Sequence, residues 1–130
     1  MKGPFLVRGK RGIKMKRKSK RQITKKKNEF RYHNVIVINQ FGKETKIRHP
    51  TYIFLEKGNI YIYVSITHSN DIENHMVIKL RKNPNPKDKC LSFWIVEIKR
   101  DTKDRFGRKQ KDWKINIEDE KDIREEYKKR

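Results

Sequence analysis

The stretch Ile60-Tyr61-Ile62-Tyr63-Val64-Ser65-Ile66 constrains the fold of this chain more than any other. Its residues alternate in two sets, Ile60, Ile62, Val64 and Ile66 against Tyr61, Tyr63 and Ser65, and a period of two belongs to a β-strand. Glu56-Lys57-Gly58-Asn59 has the composition of a hairpin turn, and Thr51-Tyr52-Ile53-Phe54-Leu55 reads as the preceding strand. Two strands joined by so short a Gly-containing loop form an antiparallel hairpin. Pro50 has no N–H to give a central ladder, so it is expected at the start of its strand.

The neighbouring segments follow the same logic. Val35-Ile36-Val37-Ile38 is a short β-branched run closed by the turn-like Asn39-Gln40-Phe41-Gly42-Lys43. Met76 to Leu80 reads as a strand that Asn83-Pro84-Asn85-Pro86 ends, and Ser92 to Ile98 as the last strand. Arg100 to Lys111 reads as a charged loop around Phe106-Gly107. Asn116 can cap a helix with Glu118, Asp119 and Glu120 in its first turn and Lys128, Lys129 and Arg130 at its end, a charge order that suits the helix dipole. Ile123 and Tyr127, four apart, would form its inner face. These elements predict a mainly β fold: a small SH3-like (or OB-like) antiparallel barrel of about five strands with a C-terminal helix. Trp94 belongs in its core, whereas Trp113 fits either the core or a stacking surface.

Charge divides the chain in two. Of 130 residues, 36 are Lys or Arg and 16 are Asp or Glu, a net charge of +20. Residues 1–34 hold 14 of those bases and a single acid, Glu29. With so little apolar surface to bury and so much like charge, residues 1–33 are expected to form a basic, disordered arm before a domain at 34–130. Such an arm suits nucleic acid, because each phosphate it neutralises releases a counterion. A solubilising tail and a targeting sequence are the alternatives.

Several function classes drop out. No apolar stretch is long enough to span a bilayer, and no apolar segment follows the basic N-terminus as a secretory signal requires, so a cytoplasmic protein is expected. Cys90 is the only cysteine, which excludes a disulfide scaffold and a zinc ribbon. His33, His49, His68 and His75 share no ligand spacing, no Gly-rich phosphate loop occurs, and no nucleophile elbow occurs; neither a metal nor another cofactor is expected.

Two clusters remain as candidate chemistry. Lys46-Ile47-Arg48-His49-Pro50 precedes one strand of the hairpin and Thr67-His68-Ser69 follows the other, so an antiparallel arrangement brings them to one rim. Arg48 would stabilise phosphate charge, Thr67 and Ser69 would hydrogen-bond a non-bridging oxygen, and His68 or His49 would move protons near neutral pH. These groups suffice for metal-free RNA cleavage by the RNA's own 2′-OH. The same Thr-His-Ser-Asn-Asp run is also ordinary turn-capping chemistry.

Arg48 to Leu55, then Gly58, then Tyr61 to Ser69, resembles the PemK/MazF toxin endoribonucleases and their ToxN-like relatives, in which a basic residue and a proline precede a long strand and a later strand ends in a Thr/Ser pair. The likeness runs from Arg48 to Leu80 and extends to Ile98. It differs in that His49 separates Arg48 from Pro50 and His68 separates Thr67 from Ser69. The resemblance implies an SH3-like barrel, ribonuclease activity without a metal, Arg48 as the phosphate-facing arginine, Thr67 and Ser69 as the hydroxyl positions, and control by an antitoxin.

Lys79-Leu80-Arg81-Lys82, Lys99-Arg100 and the run from Arg105 to Lys109, including Arg108, would line an RNA groove with Lys46 and His49. Tyr61, Tyr63 or Trp113 would stack on unpaired bases if exposed, or fill a core otherwise short of apolar residues. The leading expectation is an endoribonuclease acting on single-stranded RNA. Its rivals are a non-catalytic nucleic-acid-binding module and a protein that occupies an RNA-binding partner electrostatically.

Overall fold

A computed structural model describes residues 23–130. The chain forms strands β1 (Thr24–Ile38), β2 (Glu44–Lys57), β3 (Ile60–Thr67), β4 (Val77–Lys79), β5 (Phe93–Ile95) and β6 (Lys99–Thr102), a 3₁₀ turn at Lys103–Arg105, and helix α1 (Ile117–Lys128). All ladders are antiparallel, in the order β1-β2-β3-β5-β4, with β6 also paired to β3. β6 takes Ile60 to Tyr63 and β5 takes Ile66 and Thr67, so two short strands share one edge of β3.

The fold is mainly β with a C-terminal helix, as expected, but the sheet has six strands and its ladder does not close into a barrel. The segment after the 3₁₀ turn crosses to the outer edge of β1, where the Gly107 N–H donates to Tyr32 O (2.8 Å) and the Gln110 N–H to Phe30 O (2.8 Å).

Three boundaries differ from the sequence expectation. β1 begins at Thr24, so the last ten residues assigned to the basic arm are strand; Ile23 precedes it without regular structure, and residues 1–22 lie outside the described residues. Pairing holds this charged stretch in place: Lys27 sits 3.4 Å from both Glu29 and Glu56, and Arg124 of α1 donates to the carbonyls of Lys27 and Phe54 (2.8 Å each). Secondly, Arg100 to Thr102, expected as the start of a loop, belong to strand β6, because the edge of β3 offers them a ladder regardless of their polarity. Thirdly, Pro50 lies inside β2 opposite Tyr32, one residue beyond the last β2–β3 pair, Thr51 with Ser65.

The alternation of β3 is realised on both faces. Ile62, Val64 and Ile66 join Phe30, Tyr52, Phe54, Leu80, Trp94 and Ile123 in the main core, while Tyr61 and Tyr63 meet Ile53 and Phe106 in a second cluster. A bulge between Ile53 and Leu55 lets Phe54 and Leu55 both reach the main core although they are adjacent. Helix α1 is capped as its sequence implies: Asn116 accepts from the N–H groups of Glu118 (2.9 Å) and Asp119 (3.2 Å), and Ile123 and Tyr127 face the sheet.

Candidate nucleic-acid interface

The two rim clusters do meet. His49 and Pro50 from β2 and Ile66, Thr67 and His68 from the end of β3 line one cleft of about 290 Å³. Tyr32 of β1, which lies opposite Pro50, walls one side with Trp113, and their rings meet edge to face at 5.9 Å. Pro84 and Asn85 from the proline turn, with Asp88, complete the opposite side. That turn is held in place by Asn83, which donates to Cys90 O (2.8 Å) and accepts the Ser92 N–H (3.1 Å).

Two polar features mark this cleft. His68 Nε2 lies 3.0 Å from Asp88 Oδ2 at the exposed lip, a contact that orients the ring. Deeper in, Ser92 is only 1% exposed, and its hydroxyl has no hydrogen-bond partner. A buried hydroxyl left unpaired costs roughly 1–3 kcal/mol. Ser92 thus leaves a buried polar atom without a partner in the wall of the cleft.

Arg48 stands beside the cleft rather than in it. Its guanidinium lies over the Tyr32 ring, 4.6 Å from the centroid. With Lys46 and Arg105 it lines a second concavity of about 420 Å³, whose other walls include Asn34, Ile36 and Asp104. Three of the expected RNA-contacting cations are thus gathered on one side of the hairpin.

The hydroxyl pair is divided. Thr67 lines the cleft, and its Oγ1 accepts the Ser69 N–H (3.1 Å). Ser69 turns away into the following loop, where its Oγ donates to Asp71 O (3.1 Å) and accepts the Asp71 N–H (3.2 Å). This is the turn-capping geometry that the Thr-His-Ser-Asn-Asp run also implied.

Tyr61 and Tyr63 are corrected outright as stacking residues. They are 8% and 3% exposed and pack edge-on against Phe106 at 5.2 Å each. Burial pushes the Tyr63 phenol up to about 12. Both faces of β3 are covered from Tyr61 to Val64, and Ile60 and Ser65 are half-buried. Arg81 is engaged elsewhere, with its guanidinium 2.9 Å from both Asp119 and Asp122 and its N–H bonded to the Asp119 carboxylate, tying α1 to the end of β4. Lys79, Lys82 and Arg108 are exposed, outside the cleft.

Tyr32, Asp88 and Ser92 are among the cleft residues to which sequence reasoning gave no functional role. Tyr32 carried a usable signal, since it follows Phe30 at strand spacing; Asp88 and Ser92 carried none. Among the described residues no group of three or more His, Cys, Asp or Glu is placed to hold a metal, and no helix is long and apolar enough to cross a membrane.

In comparisons with known proteins, no family model, no curated protein and no solved structure matches this chain.

Proposed function

We propose that the protein is an RNA-binding module that seats one unpaired base in the cleft between Tyr32, Trp113 and the histidine lip. The observation that carries this reading is the meeting of two aromatic rings with a buried, unpartnered Ser92 hydroxyl in a single cleft. Sequence-reading RNA sites use these same parts, aromatic faces for the base plane and polar groups for its edge. Arg48 beside Tyr32, with Lys46 and Arg105 along the hairpin, would hold the adjoining phosphates, and the +20 chain supplies the long-range attraction. The finer fold assignment, an SH3-like barrel, is supported by the 3₁₀ turn and by the bonds from Gly107 and Gln110 to the outer edge of β1.

The test is Ser92→Ala. Loss of an unpaired hydroxyl should leave the melting temperature unchanged or raised, while affinity for single-stranded RNA falls by about 3- to 10-fold, the worth of one hydrogen bond. Fluorescence anisotropy across a salt series reads both that loss and the steep fall of log affinity with log salt. Unchanged affinity in the variant would remove the base from the cleft.

A second reading, metal-independent RNA cleavage of the PemK/MazF kind, is favoured by the His68–Asp88 pair in a cleft that His49 and Thr67 also line. One histidine would take the proton from the 2′-OH as that oxygen attacks phosphorus. The other would give a proton to the departing 5′-oxygen, and Arg48 would offset the developing charge. The products would be a cyclic phosphate and a 5′-hydroxyl, and an antitoxin would be the natural protein partner. Incubation with RNA in EDTA decides: intact RNA leaves the binding reading alone.

A further inference from the structure

Beyond its core-covered half, the β1–β2 hairpin continues as a two-stranded ribbon in which Val35 to Ile38 pairs with Glu44 to Ile47. Ile36 is 55%, Ile38 69% and Phe41 83% exposed. Exposed apolar residues at a loop tip are usually mobile, but this tip is tied. Asn39 Oδ1 accepts the N–H groups of Phe41 (2.9 Å) and Lys43 (3.0 Å), Asn39 O accepts the Gly42 N–H (2.9 Å), and the Asn39 N–H donates to Lys43 O (2.9 Å). Gly42 supplies the left-handed backbone (φ 77°) that closes the turn. The backbone that carries Phe41 is therefore held by the turn, and its ring is presented to solvent with part of the ordering cost already met.

We propose that this tip is a second RNA contact, in which Phe41 inserts between two bases of a strand whose phosphates lie along Lys43, Lys46 and Arg48. The inference rests on the RNA-binding reading and extends it to a different surface. Charge selects the occupant. The ribbon carries Lys43, Lys46 and Arg48 against the single acid Glu44, on a chain of net charge +20. A second copy of the chain would set like charges face to face, whereas a nucleic-acid strand releases counterions from those positions. An aromatic or aliphatic wedge between base steps, flanked by cations, is an established way to grip nucleic acid without reading its sequence.

The two contacts are separable by length. Ile38 lies six residues beyond Tyr32 along β1, which is about 20 Å at about 3.4 Å per residue. An oligonucleotide too short to span that distance should bind the cleft and be indifferent to Phe41.

Phe41→Ala tests the proposal in the full chain with a fluorescein-labelled, unstructured RNA of about 20 nucleotides. Affinity should fall about 5- to 100-fold with the salt slope unchanged, because a stacked ring carries no charge. Lys46→Ala should do the reverse, lowering the slope by about one with a smaller loss at low salt. The mutated side chains are exposed, so folding is not at stake. Wild-type affinity in Phe41→Ala would overturn the proposal while leaving the cleft reading intact. So would a sedimentation profile in which Phe41→Ala dissociates a dimer, since the tip would then be a self-association surface. Failure of the wild type to bind RNA would overturn both readings together.

Discussion

The β1–β2 hairpin is one continuous ladder with two unlike halves. In the half from Thr24 to His33 and from His49 to Lys57, Phe30, Tyr52 and Phe54 are buried beneath α1 and β3. In the half from Asn34 to Arg48, Ile36, Ile38 and Phe41 are in solvent. Both halves hold residues of high strand propensity, so propensity explains the ladder and says nothing about burial. The difference is the presence of a neighbour. The β2–β3 pairing ends at Thr51 with Ser65; beyond that point cover thins to the 3₁₀ turn and the segment after it at the base of the ribbon, and Ile36, Ile38 and Phe41 are left exposed. The cleft forms at this boundary, where the core stops and Tyr32, Pro50 and Trp113 are left half covered.

The largest expected effect lies in the covered half. Phe54→Ala should cost about 3–5 kcal/mol in urea unfolding, because the ring is fully buried against Tyr127 and the cavity it leaves cannot collapse. A loss below about 1 kcal/mol would mean that this half is packed no better than the ribbon.

A smaller effect is expected at the boundary. His33 Nε2 lies 2.8 Å from Asp101 Oδ2. Burial pushes the Asp101 carboxyl up, but hydrogen bonds from His33 and the Thr102 N–H outweigh it and hold the group below its ordinary value. A carboxyl depressed in the folded state contributes stability in full above its unfolded value, about pH 4, and loses it as pH falls through the folded value. Asp101→Asn should therefore flatten the acid limb of a stability–pH curve. An unaltered limb would show that the contact contributes nothing.

The smallest effect belongs to the ribbon. Ile36→Thr keeps the strand preference and should change stability by no more than about 0.5 kcal/mol, as exposed sites do. A loss of several times that value would show that the ribbon is covered in solution, and would sharpen the search for what covers it.

Much of the frame was legible. Gly58 in its left-handed turn (φ 58°), the alternation of β3, Trp94 in the core and the Asn116 cap each rest on a residue whose chemistry acts on its near neighbours. What was not legible depends on distant partners. Lys25-Lys26-Lys27 looks like arm until Glu56 and Arg124 are brought beside it, and Arg100 to Thr102 looks like loop until β3 offers an edge. At the rim, the meeting of His49 with Thr67 and His68 followed from the hairpin. The pairing of His68 with Asp88, and the burial of an unpaired Ser92 hydroxyl in the cleft wall, did not.

Sequence alone determined where the hairpin turns lie, that Thr51 to Leu55 and Ile60 to Ile66 are extended and how much net charge the molecule carries, because turn chemistry, side-chain period and net charge are local or additive quantities. Tertiary structure decided which of the many aromatics and cations are available. Tyr61 and Tyr63 disappeared between two covered faces and Arg81 was taken by α1, whereas Tyr32, Trp113, Arg48 and Phe41 were left at surfaces. Availability is a property of what packs against a residue, and a small core covers only part of a long hairpin.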